Sequence, residues 1–232
     1  MDALYVREYS EDREVTAWLL LDRSPSMTFG PTDRTKEHLL RDFSTTLARL
    51  LVRNGNRVGA IVYDNVAPHT IPPRQGRDQV LVLARELLRP VQASGTVTDL
   101  GRLLDTAARM IRRRSLVVVV SDFISTPGWE RSLLRLTERN EVVAVRLFDP
   151  REFELPASGL LAVRDAETGD QMLVDSSDPE FRRRLRQAGE ERAIEVRDLT
   201  RRAGVDLHVI STDDDLVAAF IGIVESRSRR TR

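Results

Sequence analysis

Val15 to Leu21 (VTAWLLL) is a nearly unbroken apolar run that ends in Asp22 and runs into a segment rich in Ser, Pro and Gly. A run of that length, closed by turn residues, reads as a strand covered on both faces. Arg57 to Tyr63, Leu116 to Val120 and Val142 to Phe148 also read as strands, mostly apolar, and Val205 to Ile210 reads as the last strand. Between them the apolar positions change to helical spacing. Leu39, Leu40, Phe43, Leu47, Leu50 and Leu51 form one such stripe, stopped by Asn54-Gly55-Asn56. Asp78 to Leu88 reads as a second helix, closed by Pro90, and Leu100 to Ile111 as a third, with Thr98 at its N-cap. Trp129 to Arg139 gives a fourth. A long fifth helix starts at Asp178-Pro179 on the line Phe181, Leu185, Ala188, Val196, Leu199 and Ala203. A last helix covers about Asp213 to Val224.

Two segments break this rhythm. Val66 to Ile71 reads as a short edge strand ended by Pro72-Pro73. Phe153 to Val174 holds two short β-like runs around Asp165 to Gly169, the pattern of a hairpin turn. Strand–helix alternation with most strands apolar throughout predicts an α/β fold: a doubly wound, mostly parallel Rossmann-like sheet with helices on both faces. With no linker or internal repeat, residues 1–232 are expected to form a single domain, with a hairpin insertion over 152–175 and a basic tail over 226–232.

Composition narrows the function more than the fold. Lys plus Arg equals Asp plus Glu at 36 each, so no global charge points to nucleic acid. There is no cysteine, which excludes disulfides, thiolate catalysis and Cys-ligated zinc. The charged start, MDALYVREYSEDRE, is unlike a secretory signal, and no apolar stretch approaches a membrane span. A cytoplasmic location is expected, or a membrane-associated one if the chain is part of a longer protein.

In an open α/β sheet, ligands sit beyond the carboxyl ends of the strands. Hard oxygen donors occupy such places here. Asp22, Ser24 and Ser26 alternate in the loop after the first strand. Thr96 and Thr98 precede the third helix, and Ser121-Asp122 follows the most apolar strand. A set of oxygens suits Mg²⁺, with Mn²⁺ or Ca²⁺ as alternatives, rather than zinc or copper. Each motif alone is also a common turn or cap, so the weight lies in their order along one α/β pattern.

On these residues the chain resembles a von Willebrand factor type A (VWA) domain with its metal-ion-dependent adhesion site. The matches are Asp22, Ser24, Ser26, Thr98 and Asp122, with Thr96 as rival to Thr98. Thr98 is preferred because Leu100 and Leu104 then fall where the family's helix turns inward. LYVREYSEDRE, Ser26 to Gly30, Lys36, Asn56 to Gly59 and the turn Asp165 to Gly169 are further similar to the bacterial subgroup called domain of unknown function 58. The resemblance implies that Ser and Thr hydroxyls hold the metal directly, while the Asp carboxylates bind it directly or through water. It implies one open coordination position, filled by a Glu or Asp from a partner protein. It also implies an adaptor or chaperone role beside a MoxR-type AAA+ ATPase, with no nucleic acid and no small-molecule substrate. Many members of the subgroup carry amino-terminal membrane helices.

The competing enzyme reading is a Mg²⁺-dependent haloacid-dehalogenase-like phosphotransferase or phosphatase with Asp22 as nucleophile. Such enzymes need a second acid two residues on, and Ser24 stands there. No G-x-S-x-G and no Gly-rich phosphate loop is present, and His38, His69 and His208 are isolated. The reading is therefore a binding module and not an enzyme. Asp213 to Asp215 is expected in the first turn of the last helix, where acids favour the helix dipole, and the Arg-rich run 182–186 as a solvated helix face.

Overall fold

The computed structural model describes residues 15–30, 34–91, 97–164 and 170–230. The leader LYVREYSEDRE, Thr96, the turn Asp165 to Gly169 and residues 231–232 lie outside them. The strands are β1 (Thr16–Asp22), β2 (Arg57–Tyr63), β3 (His69–Arg74), β4 (Leu116–Ser121), β5 (Glu141–Phe148), β6 (Leu160–Arg164), β7 (Gln171–Asp175) and β8 (Asp206–Ser211). The helices are α1 (Lys36–Arg53), α2 (Arg77–Leu87), α3 (Leu100–Met110), α4 (Trp129–Thr137), α5 (Pro179–Arg202) and α6 (Leu216–Arg230).

Six strands form one sheet in the order β3-β2-β1-β4-β5-β8, and β6 with β7 forms a separate antiparallel pair. All neighbours in the large sheet run parallel except β3, which is antiparallel to β2. Alternate residues of β1 feed opposite layers, as the pleat requires. Ala17, Leu19 and Leu21 join the core beneath α1, α2 and α6, while Trp18 and Leu20 join the core beneath α3, α4 and α5. This is the doubly wound architecture expected from the alternation.

Four local expectations are corrected. The edge strand starts at His69 and runs through Pro72-Pro73 to Arg74. Proline is tolerated because an edge strand leaves one side of its backbone unpaired, and the register shifts between Val58 and Ala60 to pass it. Thr98 is not the N-cap of α3. Asp99 holds that position without a side-chain cap bond, and Ser125 Oγ accepts from Leu100 N at 2.8 Å. Asp213 to Asp215 precede α6 rather than filling its first turn; Asp215 Oδ1 accepts from Val217 N and Ala218 N at 2.7 and 3.1 Å. On α5 the buried residues are Gly189, Val196 and Thr200, whereas Ala188 is exposed. A Cβ on Gly189 would lie 2.4 Å from the Phe153 ring, so the glycine, not Ala188, is where α5 meets that ring. Among the described residues no helix is long and apolar enough to cross a membrane.

Candidate metal centre

β1 and β4 are neighbours in parallel register, with Leu21 opposite Val120. Asp22 and Ser121-Asp122 therefore leave the sheet at the same edge. Beyond Asp22 the chain makes a 3₁₀ turn over Pro25–Thr28, with Pro at its first position. Met27 N donates to Ser24 O at 3.0 Å and Phe29 N to Ser26 O at 3.2 Å. That winding brings Ser24 Oγ and Ser26 Oγ to 3.1 Å. Asp22 Oδ1 accepts from Ser24 N at 2.9 Å, and Oδ2 accepts from Ser121 Oγ at 2.6 Å. Ser121 thus joins the site, although only Asp122 was expected from that pair. Thr98 is fully buried on the loop before α3. Its carbonyl accepts from Thr126 N at 2.9 Å and Ser125 Oγ at 3.2 Å, which ties that loop to the segment after β4.

The fourth wall is an ion cluster. Lys36, the first residue of α1, is wholly buried; its Nζ donates to Asp122 Oδ2 at 2.6 Å and to Glu152 Oε1. Asp122 Oδ1 accepts from Ile124 N at 2.9 Å. Burial works against the lysine charge, but the two carboxylates outweigh it and hold its pKa above the ordinary value. Burial likewise lifts Glu152, against the pull of Lys36. Phe123 takes φ +60°, a left-handed turn that is costly for an aromatic residue. It is held there by Phe123 N donating to Ser121 Oγ at 2.8 Å and by ring packing on Trp129 at 5.3 Å.

Arg23, the second residue of the loop, is also buried and anchors it. Its guanidinium reaches Glu37 at 2.5 Å and the carbonyls of Arg89 and Glu86 at 2.6 and 3.3 Å, capping the end of α2. Glu152 and Arg23 are neighbours of the site that sequence reasoning did not single out, and Lys36 and Ser121 entered it only within motifs, without a contact of their own. One signal was available: Lys36 is the only lysine in the chain. In a protein that otherwise uses arginine for every basic side chain, a lone lysine marks a place where a compact ammonium is needed.

The residues fit a hard dication. The donors are carboxylate and hydroxyl oxygens. Among the described residues no cluster of three or more His, Asp or Glu could hold a metal, so the hydroxyls are required to complete any site. Burial, and then the nearby Asp122 carboxylate, push the Asp22 carboxyl up from 3.8 to about 7. Lys36 serves Asp122 and Glu152, and among the described residues no ion pair reaches Asp22. A second cation at Asp22 would relieve that repulsion.

Comparison with known proteins bears on the fold and family. An uncharacterised protein of Mycobacterium tuberculosis is 33% identical over 226 residues, covering 97% of this chain and 71% of that protein. The crystal structure of the conserved hypothetical protein BatB from Bacteroides thetaiotaomicron aligns with TM-score 0.54 at 14% identity, over 94% of this chain and 100% of that one. The SpRpn10 VWA domain aligns with TM-score 0.50 at 13% identity, over 90% and 93%. At those identities the likeness concerns the fold, which is VWA-like. The model of the family described as "Protein of unknown function DUF58" matches residues 1–195, and the chain belongs to that family.

Proposed function

We propose that this protein is a metal-dependent protein-interaction module and not an enzyme. The reading is carried by one observation. Asp22, with the Ser24 and Ser26 hydroxyls beside it, meets Asp122 at one sheet edge, and the buried Lys36 ammonium is committed to Asp122 and Glu152. In this reading Asp22, Ser24, Ser26 and Thr98 hold a divalent cation, Mg²⁺ before Mn²⁺ or Ca²⁺. Asp122, already bonded to Lys36, acts on it from a distance or through water. The ion supplies an electrophilic centre, and few direct anionic ligands leave it able to take a Glu or Asp from a partner protein. Both oxygens of Asp22 already accept hydrogen bonds, and Ser24 stands where a phosphotransferase carries its second acid; both facts speak against a nucleophilic Asp22. The family resemblance extends the reading to an adaptor or chaperone component working with a MoxR-type AAA+ ATPase.

Thermal melts test the metal. At a hundredfold excess over its Kd, Mg²⁺ or Mn²⁺ should stabilise the wild type by about 2.7 kcal/mol, seen as a rise of several degrees in Tm. Asp22→Ala should lose that rise. An equal rise in both proteins would sink the site. The partner is tested by retention of the purified ATPase on the immobilised chain in Mg²⁺ against EDTA; undiminished retention in EDTA would refute metal dependence.

A further inference from the structure

A second charged recess lies between α5 and the stretch joining β5 to β6. Its floor is Arg146, opposite Ser121 in the β4–β5 register and only 5% exposed. Arg146 Nε is buried without a hydrogen-bond partner, and no ion pair to this guanidinium exists among the described residues. A buried, unsatisfied charged donor is costly, and a native protein seldom carries one without use. Above it opens a cavity of about 300 Å³ walled by Phe148, Pro150, Phe153 and Val209, with Arg186 and Arg197 of α5 at its side. Phe153 separates it from a neighbouring cavity of about 500 Å³ that holds Arg151, Arg182 and Leu155. Arg182 Nε is likewise buried and unpartnered. The two cavities share Phe153, Glu154 and Arg186. Glu154 and Glu190 are the acids of their walls, against the five arginines.

The helix itself separates two kinds of arginine. Arg183 and Arg184 are spent on Glu180, at 2.7 and 2.9 Å on the solvent side. Arg182 and Arg186, one turn apart, face the recess. The Arg-rich run is therefore a solvated face on one side only.

We propose that this double recess binds an acidic peptide segment of a partner protein, with a carboxylate on Arg146 and apolar side chains against Phe148 and Phe153. Guanidinium groups match carboxylates in bidentate geometry, and the apolar walls favour an organic anion over a bare phosphate. Two cavities sharing a wall suit an extended chain better than one compact ligand. Burial lowers the Arg146 pKa, and the Asp122 and Glu152 carboxylates near it offset that only in part, so a carboxylate brought directly onto the guanidinium would relieve the cost of burying it. The proposal does not need the metal, and its test is run in EDTA.

The probe is a fluorescein-labelled random copolymer of glutamate and tyrosine, followed by anisotropy on the full chain. Saturable binding is expected. R182E/R186E and Arg146→Met should each weaken it about tenfold or more. R183E/R184E makes the same charge change on the solvent side and should weaken it less than about threefold. If Arg146→Met melts prematurely, the two double variants decide alone. The proposal is overturned if copolymer binding does not saturate, or if R183E/R184E costs as much as R182E/R186E. Complete displacement by millimolar inorganic phosphate would also overturn it, since the recess would then be a phosphate site.

Discussion

Lys36 balances two carboxylates at the edge of the candidate site. It is fully buried, and its ammonium pairs with both Asp122 and Glu152. A buried ion pair adds little over a well-packed apolar core, but removing one partner strands the other charges. Lys36→Met should therefore cost about 3–5 kcal/mol in urea unfolding. Adding Glu152→Gln to that variant should recover part of the loss, because one stranded charge is gone. An unchanged urea midpoint for Lys36→Met would show that the cluster does not hold the site. Lys36→Arg should not substitute, since a planar fork cannot occupy the room of a tetrahedral ammonium. At this scale the sequence was legible where the groups are neighbours in the chain. The spacing of Asp22, Ser24 and Ser26 marked them as oxygens of one loop, and the fold winds the two hydroxyls to 3.1 Å. The bonds of Lys36 to Asp122 and Glu152 span 86 and 116 residues, and no local pattern announces them.

Among the elements, the edge strand departs most from expectation. β3 runs through two prolines, and the register slip beside it is permitted by Gly59. A Cβ there would lie 2.9 Å from Pro73 N and 3.0 Å from Ile71 O, both backbone atoms that cannot swing aside. Gly59→Ala should therefore lower stability by about 1–3 kcal/mol, with amide exchange in β3 accelerating before that in β1. Equal protection of β3 in both proteins would contradict this account. Prolines read as strand breakers because the rule concerns central strands; whether a strand lies at an edge is a property of sheet order. The start of α3 shows the same limit. Thr98 has the residue type of a cap, but Ser125, 25 residues away from Leu100 in sequence, receives the first helical N–H.

At the scale of the whole molecule, stability should depend on pH through Asp22. Its folded pKa is raised from 3.8 to about 7 by burial and by Asp122. Between those values the folded state binds the proton more tightly than the unfolded chain, so stability must fall as pH rises through that window. The contribution is complete below the lower value and flat above the upper. A metal ion at Asp22 competes with that proton. Stabilisation by Mg²⁺ should accordingly be larger at pH 8 than at pH 5, and melts in EDTA and in Mg²⁺ should diverge as pH rises. A metal shift independent of pH over this range would remove Asp22 from the coordination set. The architecture that creates this coupling was legible early. Apolar runs that alternate with helical stripes leave one economical solution, a parallel sheet covered on both faces, and the six-stranded order follows that rule.

Local pattern was thus enough for the fold class, for most strands and helices, and for the loop that carries Asp22, because burial and spacing act over a few residues at a time. Tertiary structure alone decided what Asp22 faces. The parallel register of β1 against β4 sets it beside Asp122, and α1 brings the one lysine of the chain to Asp122 and Glu152 instead. The same folding puts Arg182 and Arg186 on the walls of the cavities beside Phe153 and leaves Arg183 and Arg184 on the solvent side. Charges act through space, over distances that chain order does not record.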